Sequence, residues 1–293
     1  MTNPSAPPPA LLTWASQVLG ARPCVQEVSS PRETSRVWQL VLSGPVRFHL
    51  KISPKEVMYE RETFTLRSAA PALGAASAPQ LRASSAEHLA LLLTAVPGGP
   101  LNELMLAPAE EARAYRQASA LLGCLHAVGD LSGPRRNEAE GALQAAADGV
   151  DGHLARAADR LTAPERKLVR DLAEQLRALP VAFIHGDAWD RSLMRSTNLQ
   201  EGGGIDFARS RPATVVQDFV VMACSAWVGR PNLRAAFLQG YGRNLNSEEQ
   251  HAVACRAALA AVNCLVWGPK SGDPGVTVRG RRTPDRRMAG VFA

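Results

Sequence analysis

The sequence predicts an α+β protein with a small N-terminal lobe built on an antiparallel sheet and a larger lobe made of helices. Two β-rich runs, 36–42 and 46–52, flank the turn-forming residues Ser43, Gly44 and Pro45, a pattern typical of a hairpin. A third apolar run, 89–96, has the length of a buried strand and ends at Pro97, Gly98 and Gly99. The rest of the chain is dominated by apolar residues at helical spacing. We expect an N-terminal lobe over 1–97, a helical lobe over 98–278, and a basic tail over 279–293.

In the N-terminal lobe the sequence predicts one helix over 11–19, before the hairpin, and another over 56–67, after it. The second strand of the hairpin alternates, with Phe48 and Leu50 on one face and His49 and Lys51 on the other. The apolar face is expected to join the core. Lys51 therefore belongs to the opposite face.

The helical lobe is predicted from longer periodic segments that end at glycine or proline. We expect helices over 107–128, 138–161 and 164–179, and three more between 214 and 267. Two short strand-like segments, 181–184 and 203–207, interrupt this pattern. Each of them runs into an aspartate, which is where a polar site residue is expected.

The 46% hydrophobic content is enough for a substantial core and excludes a disordered or fibrous chain. No continuous apolar run reaches the roughly 18 to 20 residues that span a bilayer, since the longest, 89–96, is about half that length. The proline-rich start lacks the features of a secretory signal. We therefore expect a cytoplasmic protein without a membrane partner. The five cysteines form no Cys-x-x-Cys pair, so neither a disulfide framework nor a zinc site is predicted.

The net charge of +6 comes largely from the two ends of the chain. The stretch from 101 to 278 is nearly neutral, with 19 basic and 20 acidic side chains, whereas 279–293 holds five arginines and one aspartate. No aromatic stacking pattern accompanies the arginines, so we interpret them as a solvated end and not as a nucleic-acid arm. No nucleic-acid partner is expected.

One constellation carries chemistry. His185, Gly186 and Asp187 are followed by Ser192, and a glycine-rich connection leads to Asp206 at the end of the next strand-like segment. Phosphoryl transfer assisted by a metal requires a carboxylate for the proton of the attacking hydroxyl, a second carboxylate on Mg²⁺ and a lysine on the phosphates. Asp187, Asp206 and Lys51 supply these groups. We expect all three to act on one magnesium nucleotide.

These residues resemble those of the aminoglycoside phosphotransferases and their relatives among choline and homoserine kinases, which share the protein-kinase-like fold. The resemblance covers nearly the whole chain. It is carried by the following segments: 48–51 with the strand lysine, Glu62, the hinge 91–101, Leu125 to Ala127, the loop 185–192, Ile205 to Phe207, Asp218, and Gly240 to Gly242.

The resemblance implies a role for each matching residue. Asp187 would be the catalytic base and Asp206 the principal Mg²⁺ ligand, while Lys51 would hold the α- and β-phosphates with Glu62 as its ion-pair partner. Backbone groups of Thr94 and Val96 would pair with the adenine edge. It also implies that His185 and Asp218 brace the catalytic loop and that the loop 29–35 covers the phosphates. From its place directly after the start of the base loop, Trp189 is predicted to present an apolar wall to the substrate, with Asp190 beside it as a second substrate contact.

Three positions depart from the family pattern, of which Ala208, where glycine is frequent after the Asp-Phe pair, carries little weight because other residues occur there as well. Ser192 stands where an asparagine that helps to bind the metal is usual, and its shorter arm makes it a poorer ligand for Mg²⁺. His49 stands two residues before the lysine, where an apolar side chain normally covers the adenine. The metal site and the choice of nucleotide are the features these departures affect.

The sequence thus predicts an ATP- and Mg²⁺-dependent phosphotransferase, with GTP as a second candidate nucleotide, acting on a hydroxyl of an antibiotic or related small metabolite. The nearly neutral body of the chain favours a weakly charged acceptor as much as a polycationic aminoglycoside. The alternative is a kinase-like module that binds nucleotide or acts as a scaffold with little or no catalysis. The departures at Ser192 and His49 are the reason to keep it open.

Overall fold

The computed structural model describes residues 6–29, 35–44, 46–128, 133–173, 179–195, 202–271, 277–278 and 280–281. The chain forms two compact units, one made of 1–106 and 190–211 and the other of 107–189 and 212–293. The predicted boundary after residue 97 falls inside the first unit. The segment 190–211, expected in the helical lobe, groups with the first unit because its strands pair there. The predicted α+β class is confirmed.

The first unit is built on a five-stranded antiparallel sheet with the order β1-β2-β3-β5-β4. Its strands are β1 (Cys24–Glu27), β2 (Arg36–Val41), β3 (Arg47–Ile52), β4 (Leu81–Ser85) and β5 (Ala90–Thr94). The predicted hairpin is present as β2 and β3, in which Lys51 lies opposite Val37. The two edge strands were not predicted, because β1 is short and exposed and β4 is rich in polar residues.

Helix α1 (Pro9–Leu19) packs on one face of this sheet. It begins with Pro9, whose fixed φ suits the first helical position, and ends at Gly20 in the left-handed region with φ of 70°. The core beneath it gathers apolar side chains from α1, β2, β3 and β5: Leu11, Ala15, Trp38, Leu40, Phe48, Leu50, Ala90 and Leu92. The predicted alternation in β3 is therefore correct, since Phe48 and Leu50 face this core. Helix α2 (Glu56–Ser68) follows β3.

A second, three-stranded sheet in the first unit joins segments far apart in sequence. It consists of β6 (Gly99–Pro100), β8 (Leu193–Arg195) and β9 (Gly202–Gly204) in the order β6-β8-β9. Gly203 lies so close to its neighbours that a Cβ there would be 2.5 Å from Val96 Cγ1 and 3.2 Å from the Ser77 carbonyl oxygen. The glycine-rich connection thus permits close packing beneath the hinge segment.

The second unit contains most of the helices and a two-stranded sheet of β7 (Val181–Ile184) and β10 (Arg211–Thr214). The helices are α3 (Pro108–Ala127), α4 (Pro134–Asp148), α5 (Val150–Arg156), α6 (Ala163–Ala173), α7 (Gln217–Cys224), α8 (Pro231–Tyr241) and α9 (Ser247–Ser271). The single helix predicted over 138–161 is wrong. The chain instead turns at Gly149 between α4 and α5, where glycine interrupts the helical pattern.

Helix α9 is the one described helix with the length and composition of a membrane span. Its segment Ser247–Pro269 is long and apolar enough to cross a membrane, although no continuous apolar run has that length. Small and apolar residues dominate the segment, and charged ones are few. More than half of its most apolar 18-residue stretch, 56%, is buried inside the protein, as in a core helix of a soluble protein. The feature is therefore weak support for a membrane span.

One described residue of the basic tail, Arg281, is bound to the rest of the second unit. Arg281 donates hydrogen bonds to the Glu165 carboxylate, 2.7 Å away, and to the backbone oxygen of Arg160. Glu165 is buried and also accepts hydrogen bonds from Thr162 at the start of α6. Arg281 is therefore attached to the second unit through a buried carboxylate, while 42% of its own side chain stays exposed. Residues 282–293 lie outside the described part of the chain.

Candidate active site

Lys51 is held by two carboxylates from different parts of the first unit. Its Nζ lies 2.9 and 2.8 Å from the two carboxylate oxygens of Glu62 and 2.6 Å from Oδ1 of Asp206. Strand β3 presents Lys51 on the face away from the α1 core, helix α2 supplies Glu62, and Asp206 follows β9. The structure therefore brings together three of the predicted site residues.

The electrostatics of this cluster keep the lysine charged. Burial alone would lower the pKa of Lys51, but the negative charges of Glu62 and Asp206 outweigh it and raise the pKa above its ordinary value. Lys51 and Glu62 are both buried, whereas about a quarter of the Asp206 side chain is exposed. The arrangement offers a fixed ammonium group beside a carboxylate that solvent can reach.

Asp206 has an unusual backbone. Its φ of 63° and ψ of 67° lie in the left-handed region, which residues other than glycine rarely adopt. The short helical turn Phe207–Arg209 begins directly after it, and Phe207 is fully buried. Such strain persists where the surrounding structure fixes it, and it is common at functional sites. The local backbone thus directs the Asp206 carboxylate toward Lys51.

The residues present fit a magnesium ion carried by a nucleotide. The backbone N–H of Ile205 donates to the Ser192 carbonyl, 2.9 Å away, so Ser192 lies beside the residue that precedes Asp206. Carboxylate and hydroxyl oxygens are suitable Mg²⁺ ligands, and protein sites often supply only one or two because phosphates complete the shell. Among the described residues no cluster of three His, Cys, Asp or Glu side chains forms a metal cage.

The backbone groups of the hinge residues Thr94 and Val96 differ in their existing hydrogen bonds, and this limits which of them can pair with a nucleotide base. The Thr94 N–H donates to the Gln80 carbonyl at 3.0 Å, so the predicted pairing of Thr94 with adenine is restricted to its carbonyl oxygen. Val96 is buried two residues further on, beyond the end of β5. His49 is half-buried on the same face of β3 as Lys51, opposite Gln39 in the register with β2. The phosphate-covering loop predicted over 29–35 lies mostly outside the described residues, which omit 30–34.

In the second unit, Asp218 fixes the loop that carries Asp187. Its carboxylate accepts the backbone N–H of His185 at 2.8 Å and that of Gly186 at 2.7 Å. Gly186 has a φ of 79°, a conformation that favours glycine at this sharp turn. The Asp187 N–H in turn lies 3.3 Å from Nδ1 of His185. His185 and Asp218 are both buried and brace the loop.

Burial would by itself raise the pKa of Asp218, but the hydrogen bond from His126 and the contacts with His185 hold it below its ordinary value. His126 is one of two residues in this network for which no role is predicted from the sequence. Its Nε2 lies 3.0 Å from Asp218 Oδ2 and its Nδ1 lies 2.9 Å from the Tyr241 hydroxyl. His126 and Tyr241 both lie in segments that carry the resemblance to the family, Leu125 to Ala127 and Gly240 to Gly242. That resemblance is the sequence signal that could have identified them.

The remaining predicted site residues lie close to Asp187 in sequence. The Trp189 N–H donates to the Asp187 carbonyl at 2.8 Å, which closes the turn after the loop, and Trp189 and Asp190 are both half-buried. Asp187 itself is buried, with 7% of its surface exposed. Their roles as base and substrate contacts stay predictions.

Several solved structures share the fold of this chain. Among solved structures, a choline/ethanolamine kinase family protein from Mesorhizobium loti aligns with a TM-score of 0.68 at 16% identity, over 96% of this chain and 92% of that chain. The streptomycin–ATP complex of APH(2″)-IIa aligns at 0.66 with 13% identity, covering 94% and 95% of the two chains. Macrolide 2′-phosphotransferase type I aligns at 0.63 with 15% identity, covering 96% and 97%. At these identities the likeness shows the fold.

A search of the curated proteins finds no sequence match. The model of the APH family, described as the phosphotransferase enzyme family, matches residues 25–254, well over half of the sequence. The match spans the Lys51 cluster and the loop that Asp218 braces. The chain therefore belongs to the phosphotransferase enzyme family.

Proposed function

We propose that this protein transfers the γ-phosphoryl group of ATP or GTP to a hydroxyl group of a small molecule, in a magnesium-dependent reaction in the cytoplasm. The observation that carries the proposal is the contact of Lys51 with both Glu62 and Asp206. Phosphoryl transfer depends chiefly on positioning and charge neutralisation, and a buried, permanently charged ammonium group supplies both. The ATP-bound relative and the family match support the choice of reaction.

Each residue has a defined part in this reaction. Lys51 binds the phosphate oxygens, and Glu62 holds its ammonium group in place. Asp206, assisted by Ser192, holds the Mg²⁺ ion, which supplies positive charge against the phosphates when bound. Asp187 accepts the proton of the attacking hydroxyl, which requires the ionised carboxylate.

The nucleotide base is bound by backbone groups. The Thr94 carbonyl accepts from an amino group on the edge of the base, and the Val96 N–H donates to a ring nitrogen. Trp189 and Asp190 contact the acceptor, with the indole as an apolar wall. His49 lies on the nucleotide face of the sheet and sets the choice between purines.

A screen of hydroxylated small molecules by coupled detection of ADP or GDP release tests the proposal. The panel includes gentamicin, a macrolide and choline, each with ATP and with GTP, in the presence of Mg²⁺ and after its removal by EDTA. We expect release that depends on an acceptor and on Mg²⁺. Nucleotide binding without release for any acceptor would instead support the kinase-like binding module.

A further inference from the structure

The loop that carries Asp187 is connected by hydrogen bonds to a turn between two helices of the same unit. We infer that His126 and Tyr241 are positioning residues for Asp187, acting through Asp218. The inference rests on the proposed role of Asp187 as the base. No role of this kind was assigned to either residue from the sequence.

The ionised Asp218 fixes the direction of one hydrogen bond. A carboxylate can only accept, so Nε2 of His126 donates to it. The other ring nitrogen, Nδ1, is hydrogen-bonded to the Tyr241 hydroxyl. Tyr241 therefore holds the His126 ring in the orientation that places Nε2 on Asp218. Asp218 in turn holds two consecutive amides of the loop, those of His185 and Gly186.

The surrounding packing leaves these side chains little freedom. The His126 and Asp218 side chains are 5% and 0% exposed. The Phe219 ring packs edge-on against Tyr241, with centroids 4.9 Å apart, and against His126 at 6.2 Å. Because these side chains are buried, a donor that moves away from its partner cannot hydrogen-bond to water instead. The hydrogen bonds therefore hold the side chains in one arrangement.

Two glycines allow helices α3 and α8 to pack closely beside His126 and Tyr241. A Cβ on Gly123 of α3 would be 3.2 Å from the Tyr241 carbonyl oxygen, and one on Gly240 of α8 would be 2.0 Å from the Arg116 carbonyl oxygen. Gly123 lies three residues before His126, on the same side of α3. Helices α3 and α8 therefore approach closely where His126 and Tyr241 meet.

The outer end of the connection is anchored at the start of α9. The Arg243 guanidinium lies 5.4 Å from the centre of the Tyr241 ring and makes two hydrogen bonds of 2.7 Å to Glu249. Glu249 also forms reciprocal hydrogen bonds with Asn246, which cap the helix. Tyr241 also hydrogen-bonds to the Arg243 side chain, so it is held by Arg243 as well as by His126.

The experiment measures hydrogen exchange of the His185 and Gly186 amides in the full-length protein, without acceptor or nucleotide. In Tyr241→Phe we expect exchange at these two amides to rise by about tenfold, the effect of losing about one buried hydrogen bond. Tyr115→Phe is the matched control, since Tyr115 is a buried tyrosine of α3 outside this connection. It should leave both amides as in the wild type.

His126→Leu and His126→Gln provide a second comparison. Leucine removes the donor to Asp218, whereas the glutamine amide can replace it, so exchange at both amides should be faster in the leucine variant. With an active acceptor, Tyr241→Phe should lower kcat about tenfold and leave the KM for nucleotide within about twofold, because the loop and not the nucleotide site is disturbed.

Unchanged exchange at His185 and Gly186 in Tyr241→Phe would overturn the inference. So would a rise that is equal over the whole second unit, which would indicate general destabilisation. Exchange needs no turnover, so failure of the proposed phosphotransferase activity would be recognised separately, by the absence of product in the wild type.

Discussion

The Nζ of Lys51 lies 2.6 Å from Oδ1 of Asp206, although the two residues are 155 positions apart in the sequence. Strand β3 fixes the lysine, and the left-handed backbone at Asp206 fixes the carboxylate. A buried ammonium group with two carboxylate partners is costly to assemble, because each charge loses its hydration. Replacing one member of this cluster therefore tests what the cluster contributes to stability and to activity.

We expect Lys51→Met to destabilise the protein by about 3 to 5 kcal/mol, because the buried Glu62 carboxylate then lacks its charge partner. Phosphoryl transfer should also be lost. The double variant Lys51→Met, Glu62→Gln should regain part of the stability, since the buried Glu62 charge is removed as well and Asp206 is partly exposed, but no activity. Urea unfolding and ADP release measure the two effects, with the exposed Lys55→Met as the control. Equal stability of the single and double variants would contradict the prediction.

Gly203→Ala tests the close packing of β9 beneath the hinge. The new Cβ would meet Val96 Cγ1 at 2.5 Å and the Ser77 carbonyl oxygen at 3.2 Å, so β9 or Val96 must shift. We expect a loss of about 1 to 3 kcal/mol in the free energy of unfolding and a higher KM for nucleotide. Gly141→Ala is the control, since a Cβ there meets nothing within 4 Å. A variant with wild-type stability and KM would be inconsistent with this role of Gly203.

Gly240→Ala tests the crossing of α3 and α8. A Cβ at Gly240 would lie 2.0 Å from the Arg116 carbonyl oxygen and 2.3 Å from Ser119 Oγ. Backbone cannot yield cheaply there, so we expect destabilisation of at least about 3 kcal/mol, near the upper end for overpacking. Thermal unfolding measures it. The same change at Gly141 should be neutral or slightly stabilising because alanine favours helix. Equal melting temperatures for the two variants would exclude the close crossing.

Stability should depend on pH through His49. Burial lowers the pKa of His49 from its ordinary value of 6.5, so the unfolded chain binds a proton more readily than the folded one. The contribution of His49 to stability is therefore lost as the pH falls below about 6.5. Urea unfolding at pH 7.5 and at pH 5.5, conditions chosen on either side of about 6.5, should show a smaller difference for His49→Gln than for the wild type.

The matched substitution for that measurement is His88→Gln. His88 is a half-buried histidine in the turn between β4 and β5. It should keep the wild-type difference between the two pH values. If His49→Gln and His88→Gln show the same dependence on pH, burial of His49 does not have the expected effect.

Local patterns were enough to predict part of this molecule. Alternation in β3 correctly assigned Lys51 to the face opposite the core, since that depends only on the two-residue period of a strand. The return of 190–211 to the first unit could not be predicted in this way. It depends on the pairing of β8 with β6, whose residues are nearly a hundred positions apart.

The same distinction between local patterns and long-range contacts applies to the candidate site. Asp187 and Asp206 could be proposed because each follows a strand-like segment with a recognisable motif. The partners of His126 could not, because its contact with Asp218 spans 92 positions and that with Tyr241 spans 115. Such contacts follow from the packing of α3, α7 and α8, which no local pattern specifies. The polar character of β4 likewise concealed a strand that only its pairing with β5 defines.

The most direct test of the account is the rate of Mg²⁺-dependent ADP release by the wild type and by Asp187→Asn, with an acceptor found in the screen. Asparagine keeps the shape of the side chain but cannot take up the hydroxyl proton. We predict a fall in kcat of at least about 100-fold, the contribution typical of a general base, with nucleotide affinity and stability nearly unchanged. A rate equal to that of the wild type would contradict the assignment of Asp187 as the base and, with it, the proposed mechanism.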